Sequence, residues 1–96
     1  MKFLAVCGFG VGSSMVLKMT LDKVIKELGI EAETENTDIA SAKAEDADAY
    51  FTSAELKPDL ESSTNKPVIA IKRYMDASEV KQALVTFLQA REGSER

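Results

Sequence analysis

The chain has 96 residues, which is long enough for one domain with a hydrophobic core and too short for two. Apolar residues make up 45% and charged residues 29% of the sequence, and the formal net charge of -4 argues against a nucleic-acid partner. No apolar run approaches the roughly 20 residues that cross a membrane. We therefore expect a cytoplasmic protein with a single domain over residues 1–96, not itself membrane-spanning.

Cys7 is the only cysteine, and the sequence contains no histidine. An intramolecular disulfide is therefore impossible, and a zinc site built from cysteine and histidine is not expected. This chain cannot supply a histidine as a general base, and we expect neither a metal nor another cofactor. Cys7 is then either a small buried apolar side chain or a reactive thiol.

The N-terminal third of the sequence predicts a strand, a glycine-rich loop and a helix. Continuous apolar residues over 2–6 indicate a strand that is buried on both faces. Over 15–28, apolar residues recur with the period of a helix, namely Leu17, Leu21, Val24 and Leu28. Gly29 is expected to end this helix, and Ser13 or Ser14 is expected to cap its start.

Three more strands are expected, each preceded by a helical segment. Acidic residues alternate over 30–37, which predicts an edge strand with one solvated face. Residues 48–52 and 68–71 read as buried strands. Short helical segments are expected over 38–46 and 54–60.

A final helix is predicted to begin at Asp76, and Glu79 has the spacing of a capping box. Strands that alternate with helices indicate an α/β fold with a four-stranded, mostly parallel sheet and helices on both faces. Right-handed crossovers and the polar edge strand favour the strand order 2-1-3-4. Ligands of such sheets bind beyond the carboxyl ends of the strands, where the order reverses. That point lies between the first and third strands, at Cys7.

The first loop reads Cys7-Gly8-Phe9-Gly10-Val11-Gly12-Ser13-Ser14. Its glycines let the backbone approach a ligand closely and adopt positive φ, so that successive amides form an anion nest. The start of the following helix favours negative charge, and the serine hydroxyls add donors. The same surroundings favour a thiolate, the nucleophilic form of cysteine. The pattern predicts a phosphate-binding loop after the first strand, with its own nucleophile.

Other phosphate-binding motifs fit this loop less well. A Walker A loop needs a lysine, and none lies between Cys7 and Met15. The dinucleotide fingerprint needs a different glycine spacing. A cysteine phosphatase loop ends in an arginine where this chain has Ser13, and the spacing of Asp38 or Asp48 supports neither as its acid. A phosphoryl carrier and a small cysteine-dependent phosphatase remain open, as does an anion-binding module whose cysteine is incidental.

The stretch from Cys7 to Met15, followed by Leu17-Lys18-Met19, resembles the enzyme IIB component of bacterial phosphoenolpyruvate-dependent sugar phosphotransferase systems (PTS). The resemblance is to the ascorbate type in particular, with galactitol and lactose/cellobiose IIB proteins as relatives. It implies that Cys7 accepts a phosphoryl group from a phosphohistidine of the IIA partner and donates it to the sugar transported by the membrane component IIC. It also implies a phosphate cradle formed by Gly8, Phe9, Gly10, Val11, Gly12, Ser13 and Ser14.

Several residues outside the loop are weaker candidates. Ser53 ends the third predicted strand and is either part of the site or a turn cap. Residues 72–74 end the fourth strand and form either a docking surface for an acidic partner or a solvated loop. Met15 and Met19 are expected to pack in the core or to face a partner.

Overall fold

The computed structural model describes residues 1–8 and 12–94. Strands and helices alternate along it in the order β1 (Lys2–Cys7), α1 (Gly12–Leu28), β2 (Glu33–Asp38), α2 (Ile39–Ala42), β3 (Ala49–Thr52), α3 (Lys57–Glu61), β4 (Val68–Ala70) and α4 (Ala77–Ser94). The strands of this part of the chain form one parallel sheet with the order β2-β1-β3-β4. The predicted α/β fold and strand order are confirmed.

Helices cover both faces of the sheet, as the sequence predicted. α1 and α4 pack on one face, where the Phe3 ring makes edge-on contacts with Phe51 and Phe87, each with ring centroids 5.6 Å apart. The short helices α2 and α3 pack on the other face, against a cluster that includes Leu4 and Tyr50. Because successive side chains of a strand point to opposite faces, the continuous apolar run of β1 fills both cores.

β2 is an edge strand, and its exposed Glu33 and Glu35 give it the solvated face that the alternating pattern predicted. It starts at Glu33, three residues later than expected, because the chain must first leave α1. Gly29 adopts a φ of 68°, and the Ile30 amide donates to the Ile25 carbonyl at 3.3 Å. This left-handed residue ends the helix, as predicted.

The loop between β4 and α4 is held by side chains at the start of α4. Asp76 Oδ1 accepts from the amides of Ser78 at 3.0 Å and Glu79 at 3.1 Å, which confirms the predicted cap. The second half of the predicted capping box is wrong. The Glu79 carboxylate instead accepts from the amides of Lys72 at 2.7 Å and Arg73 at 3.0 Å, which ties the loop to the helix.

The carboxyl end of β3 is tied to both neighbouring strands. The buried Thr52 hydroxyl donates to the Val6 carbonyl at 2.9 Å, next to the last residue of β1. The Thr52 carbonyl accepts from the Ile71 amide, just after β4, at 2.8 Å. These contacts fix the strand ends relative to one another at the edge where a ligand site is expected.

Replacing Glu79 by glutamine tests the anchor of the β4–α4 loop. Hydrogen bonds from the amides of Lys72 and Arg73, with the charge of Arg73, hold the pKa of Glu79 below its ordinary value of 4.5, against opposing effects of burial and of Asp76. Since the folded pKa is lowered, the stabilisation is complete above that ordinary value and is lost as the pH falls through the folded value. We expect the unfolding free energy of the wild type to fall more steeply on acidification than that of Glu79→Gln.

Urea titrations from about pH 6 to about pH 3 measure this difference. The exposed Glu55 provides a control, because Glu55→Gln makes the same change of charge outside the loop. If the unfolding free energies of the wild type and Glu79→Gln fell equally with pH, Glu79 would not be the anchor of the loop.

Thr52→Val tests the tie between β3 and β1. Valine has nearly the shape of threonine but lacks the hydroxyl donor, so we expect a loss of about 1 kcal/mol of unfolding free energy in urea. Thr86→Val makes the same change on an exposed surface of α4 and should alter stability by less than about 0.5 kcal/mol. Equal stabilities for the two variants would show that the Thr52 bond contributes nothing.

Candidate active site

Cys7 is the last residue of β1 and lies at the carboxyl edge of the sheet. β1 lies between β2 and β3, so the sheet order reverses at this strand, as expected of a ligand site. In the register of β1 and β2, Cys7 lies opposite Asp38. Only 3% of its surface is exposed. The thiol therefore lies where a ligand site is expected in this fold, and its burial shields it from bulk water.

The Cys7 sulfur faces the start of α1. Its Sγ lies 3.3 Å from Ser14 Oγ, a hydrogen-bonding distance for sulfur, and 3.7 Å from the Thr37 carbonyl oxygen. Ser14 is fully buried. A thiol donates to the serine oxygen, whereas a thiolate accepts from the serine hydroxyl, so Ser14 can pair with either form. The strand end and the helix start are therefore joined by a buried polar contact.

α1 begins at Gly12, three residues before the predicted start. Ser13 and Ser14 lie inside its first turn, so the expectation that either serine caps the helix is wrong. The first amides of a helix have no partner within the helix, and they carry the positive end of its dipole. A parallel strand and the helix that follows it meet at the carboxyl edge of the sheet. The positive end of the α1 dipole therefore lies at the same edge as Cys7.

The structure describes the backbone of Gly8 and Gly12, which flank the centre of the loop. Among residues 1–8 and 12–94, only Gly29 has a positive φ, so the expected left-handed backbone is wrong for Gly8 and Gly12. A side-chain carbon on Gly8 would meet Leu56 at an ordinary 3.9 Å, and one on Gly12 would meet no atom of the described residues within 4 Å. Packing against the described residues therefore does not require glycine at either position.

The centre of the predicted loop lies outside the described residues, namely Phe9, Gly10 and Val11. The flanking residues are described: Gly8 follows Cys7, and Gly12 opens α1. The geometry of the site is therefore that of the strand end and the helix start on either side of the loop.

The two aspartates considered as proton donors each accept a hydrogen bond from a backbone amide. The Asp38 carboxylate accepts from the Ser41 amide at 2.7 Å and caps α2, and this hydrogen bond lowers its pKa. Asp48 lies at the opposite edge of the sheet, where it accepts from the Lys2 amide at 2.8 Å, a bond that lowers the pKa of Asp48. An ionised carboxylate cannot protonate a leaving group, and Asp48 lies a strand's length from Cys7.

The structure also describes the weaker candidates outside the loop, two of which are exposed and two of which make local contacts. Met15 is 48% and Met19 is 64% exposed, so both face solvent on α1 and the core alternative is wrong. Ser53 Oγ accepts from the Leu56 amide at 3.4 Å and so acts as a turn cap after β3. The Arg73 guanidinium lies against the carboxylates at the start of α4.

One supporting contact was missed by the sequence analysis. Thr20 of α1 is buried, and its Oγ1 lies 2.6 Å from the Tyr74 carbonyl oxygen in the loop after β4. A polar residue on the buried side of an amphipathic helix is the signal that could have indicated such a contact. Among the described residues, no group of histidine, cysteine, aspartate and glutamate could hold a metal ion, and no helix is long and apolar enough to cross a membrane.

Comparison of the sequence with known proteins shows the family of this chain. The family model described as "PTS system, Lactose/Cellobiose specific IIB subunit" matches residues 2–85. An ascorbate-specific PTS system EIIB component of Mycoplasma pneumoniae is 31% identical over 86 residues, which cover 88% of this chain and 90% of that protein. Components with the same name from Shigella boydii serotype 4 and Escherichia coli O6:H1 are each 26% identical over 91 residues, which cover 93% of this chain and 90% of theirs.

The family match extends from β1 into α4 and so includes the strand end, the helix start and the loop after β4. Members of this family are phosphotransferases of the sugar phosphotransferase systems. The chain therefore belongs to the family of PTS lactose/cellobiose-type IIB subunits.

Proposed function

We propose that the chain is a phosphoryl carrier in which Cys7 is the residue that is phosphorylated. The observation that carries this proposal is the contact of the Cys7 sulfur with Ser14 Oγ at 3.3 Å, at the carboxyl end of β1 and the start of α1. A hydroxyl beside the sulfur stabilises a thiolate and then a phosphoryl oxygen. The residues from Gly8 to Ser14 form the phosphate cradle of this proposal.

Two displacements at phosphorus make up the proposed reaction. In the first, the thiolate of Cys7 forms a P–S bond as the P–N bond to a phosphohistidine breaks, and the imidazole leaves with the electron pair of that bond. In the second, a sugar hydroxyl oxygen forms a P–O bond as the P–S bond breaks, which returns the electron pair to sulfur. The hydroxyl proton passes to a base on the acceptor side.

The partners follow from the family. The phosphohistidine belongs to the IIA component, and the sugar is bound by the membrane component IIC. The curated relatives are named as ascorbate-specific, which supports ascorbate as the transported sugar. We assign the chain to the cytoplasm, as a single IIB domain that meets both partners.

The phosphatase alternative has less support. A phosphatase of the cysteine type uses an arginine clamp and an acid for the leaving group. Ser13 stands where the clamp would be, and Asp38, the carboxylate opposite Cys7, is engaged as the cap of α2. A site without these parts holds a phosphoryl group better than it hydrolyses the thiophosphate.

Cys7→Ser tests the central step. We expect the wild type, incubated with phosphoenolpyruvate, the upstream kinase, the histidine carrier and IIA, to gain one phosphoryl group by intact mass. Cys7→Ser should gain none, because a serine hydroxyl is a far weaker nucleophile than a thiolate. Circular dichroism checks that the variant is folded. Rapid turnover of an aryl phosphate without an accumulating phosphoprotein would instead establish the phosphatase.

The two serines of the first turn of α1 provide a matched pair. Ser14 is buried against the sulfur and Ser13 is exposed. Loss of a hydrogen bond to a charged group weakens binding by about tenfold or more. At equilibrium with phosphorylated IIA, Ser14→Ala should therefore lower the level of phosphorylated Cys7 by about that factor. Ser13→Ala should have the smaller effect. The reverse order of effects would contradict the placement of Ser14 as the main side-chain donor.

A further inference from the structure

Three side chains lie at the carboxyl edge of the sheet, on segments that are far apart in sequence. Cys7 ends β1, Ser53 follows β3, and Tyr74 lies in the loop after β4. Because the strands are parallel, these segments all leave the sheet on one side. Successive side chains of a strand point to opposite faces, so Cys7 points to the same face of the sheet as Phe3 and Ala5. The Tyr74 ring packs against the apolar cluster that contains these two residues. The fold thus brings the Tyr74 side chain to the same face and the same edge of the sheet as the thiol, and an ionised Cys7 raises the pKa of its phenol.

The loop holds Tyr74 from two sides. On one side, the Thr20 hydroxyl of α1 lies 2.6 Å from the Tyr74 carbonyl oxygen. On the other, the Glu79 carboxylate accepts from the amides of the two residues that precede Tyr74, at 2.7 and 3.0 Å. The ring itself is partly buried and packs against the apolar core beneath α1 and α4. A residue fixed in this way loses little conformational freedom when it binds a ligand.

The Tyr74 hydroxyl is a hydrogen-bond donor at neutral pH. Burial raises the pKa of the Tyr74 phenol above its ordinary value of 10.0, and the charge of an ionised Cys7 raises it further, against the opposing hydrogen bond of Ser53. The phenol therefore keeps its proton while the thiol or its phosphoryl group is charged. A protonated phenol offers one donor, which is what an anionic oxygen accepts.

We propose that the Tyr74 hydroxyl donates a hydrogen bond to an oxygen of the phosphoryl group on Cys7, and that Ser53 positions this hydroxyl. The inference rests on the proposed function of Cys7 and adds a residue outside the glycine-rich loop to the site. Ser14 reaches the phosphoryl group from α1, and Tyr74 reaches it from the loop after β4. The group would thus be held by side chains of two different elements.

Tyr74→Phe removes the hydroxyl and keeps the ring. We expect its equilibrium level of phosphorylated Cys7, measured by intact mass against phosphorylated IIA, to fall by about tenfold, as for the loss of one hydrogen bond to a charged group. Its affinity for inorganic phosphate, measured by NMR titration of the unphosphorylated chain, should fall by a similar factor. Ser53→Ala should produce a smaller loss of both quantities, because the phenol is kept but less well placed.

Tyr50→Phe is the matched control. It also removes a phenolic hydroxyl and a hydrogen bond, from Tyr50 to the Glu45 carbonyl at 2.6 Å, but it lies in the core on the other face of the sheet. We expect Tyr50→Phe to keep wild-type phosphate affinity and phosphorylation level even where its melting temperature falls. Equal losses in both tyrosine variants would overturn the proposal, because they would reflect stability alone.

The experiment separates this inference from the proposed function. If the wild type is phosphorylated on Cys7 and Tyr74→Phe matches it in both assays, the role of Tyr74 is wrong and the carrier function stands. If the wild type takes no phosphoryl group from IIA, the carrier function is wrong. The phosphate titrations alone then decide whether the Tyr74 hydroxyl is an anion ligand. A phosphate affinity that depends on the Tyr74 hydroxyl supports its role as an anion ligand, and an affinity that does not, or no binding at all, overturns it.

Discussion

The position of Cys7 depends on the burial of β1 between two parallel neighbours. β1 pairs with β2 on one side and with β3 on the other, and residues 3–6 of this strand have no exposed surface. Such a strand cannot slide by one residue without exchanging the side chains that fill the two cores. The thiol at its end is therefore held at one point of the carboxyl edge, and the start of α1 is held beside it.

This constraint places fixed dipoles, rather than charged side chains, beside the thiol. The described residues around Cys7 offer the hydroxyl of Ser14 and the start of a long helix. Hydroxyls and helix amides are fixed dipoles, and fixed dipoles in a buried site stabilise charge without reorganisation. The nearest candidate acid, Asp38, serves the fold as the cap of α2. Such an arrangement favours holding a phosphoryl group over hydrolysing it.

Much of the fold could be predicted from the sequence, because it depends on local patterns. The continuous apolar run of β1, the alternating glutamates of β2 and the turn at Gly29 each specify an element from a few neighbouring residues. The strand order followed from the handedness of crossovers and the polarity of one edge strand. The position of Cys7 at the switch point then followed from the order of the strands.

The errors concern contacts that local patterns do not specify. α1 starts three residues before the point that the sequence pattern predicts, because glycine and serine favour loops as strongly as helix starts. Glu79 has the spacing of a capping box, but the amides of the preceding loop provide two partners where a capping box offers one. The contact of Thr20 with Tyr74 joins residues 54 apart, and it exists only because α1 packs beside the loop after β4. Residues that support a site in this way become visible only in the folded chain.

Phosphorus NMR of the wild-type chain after transfer from IIA can show whether the phosphoryl group is carried on sulfur. We expect a single protein-bound resonance in the thiophosphate region, which disappears when the chain is mixed with the membrane component and its sugar. A resonance of an oxygen-linked phosphate, such as one on Ser13 or Ser14, would contradict the account. So would a chain that stays unlabelled while its IIA partner is fully phosphorylated.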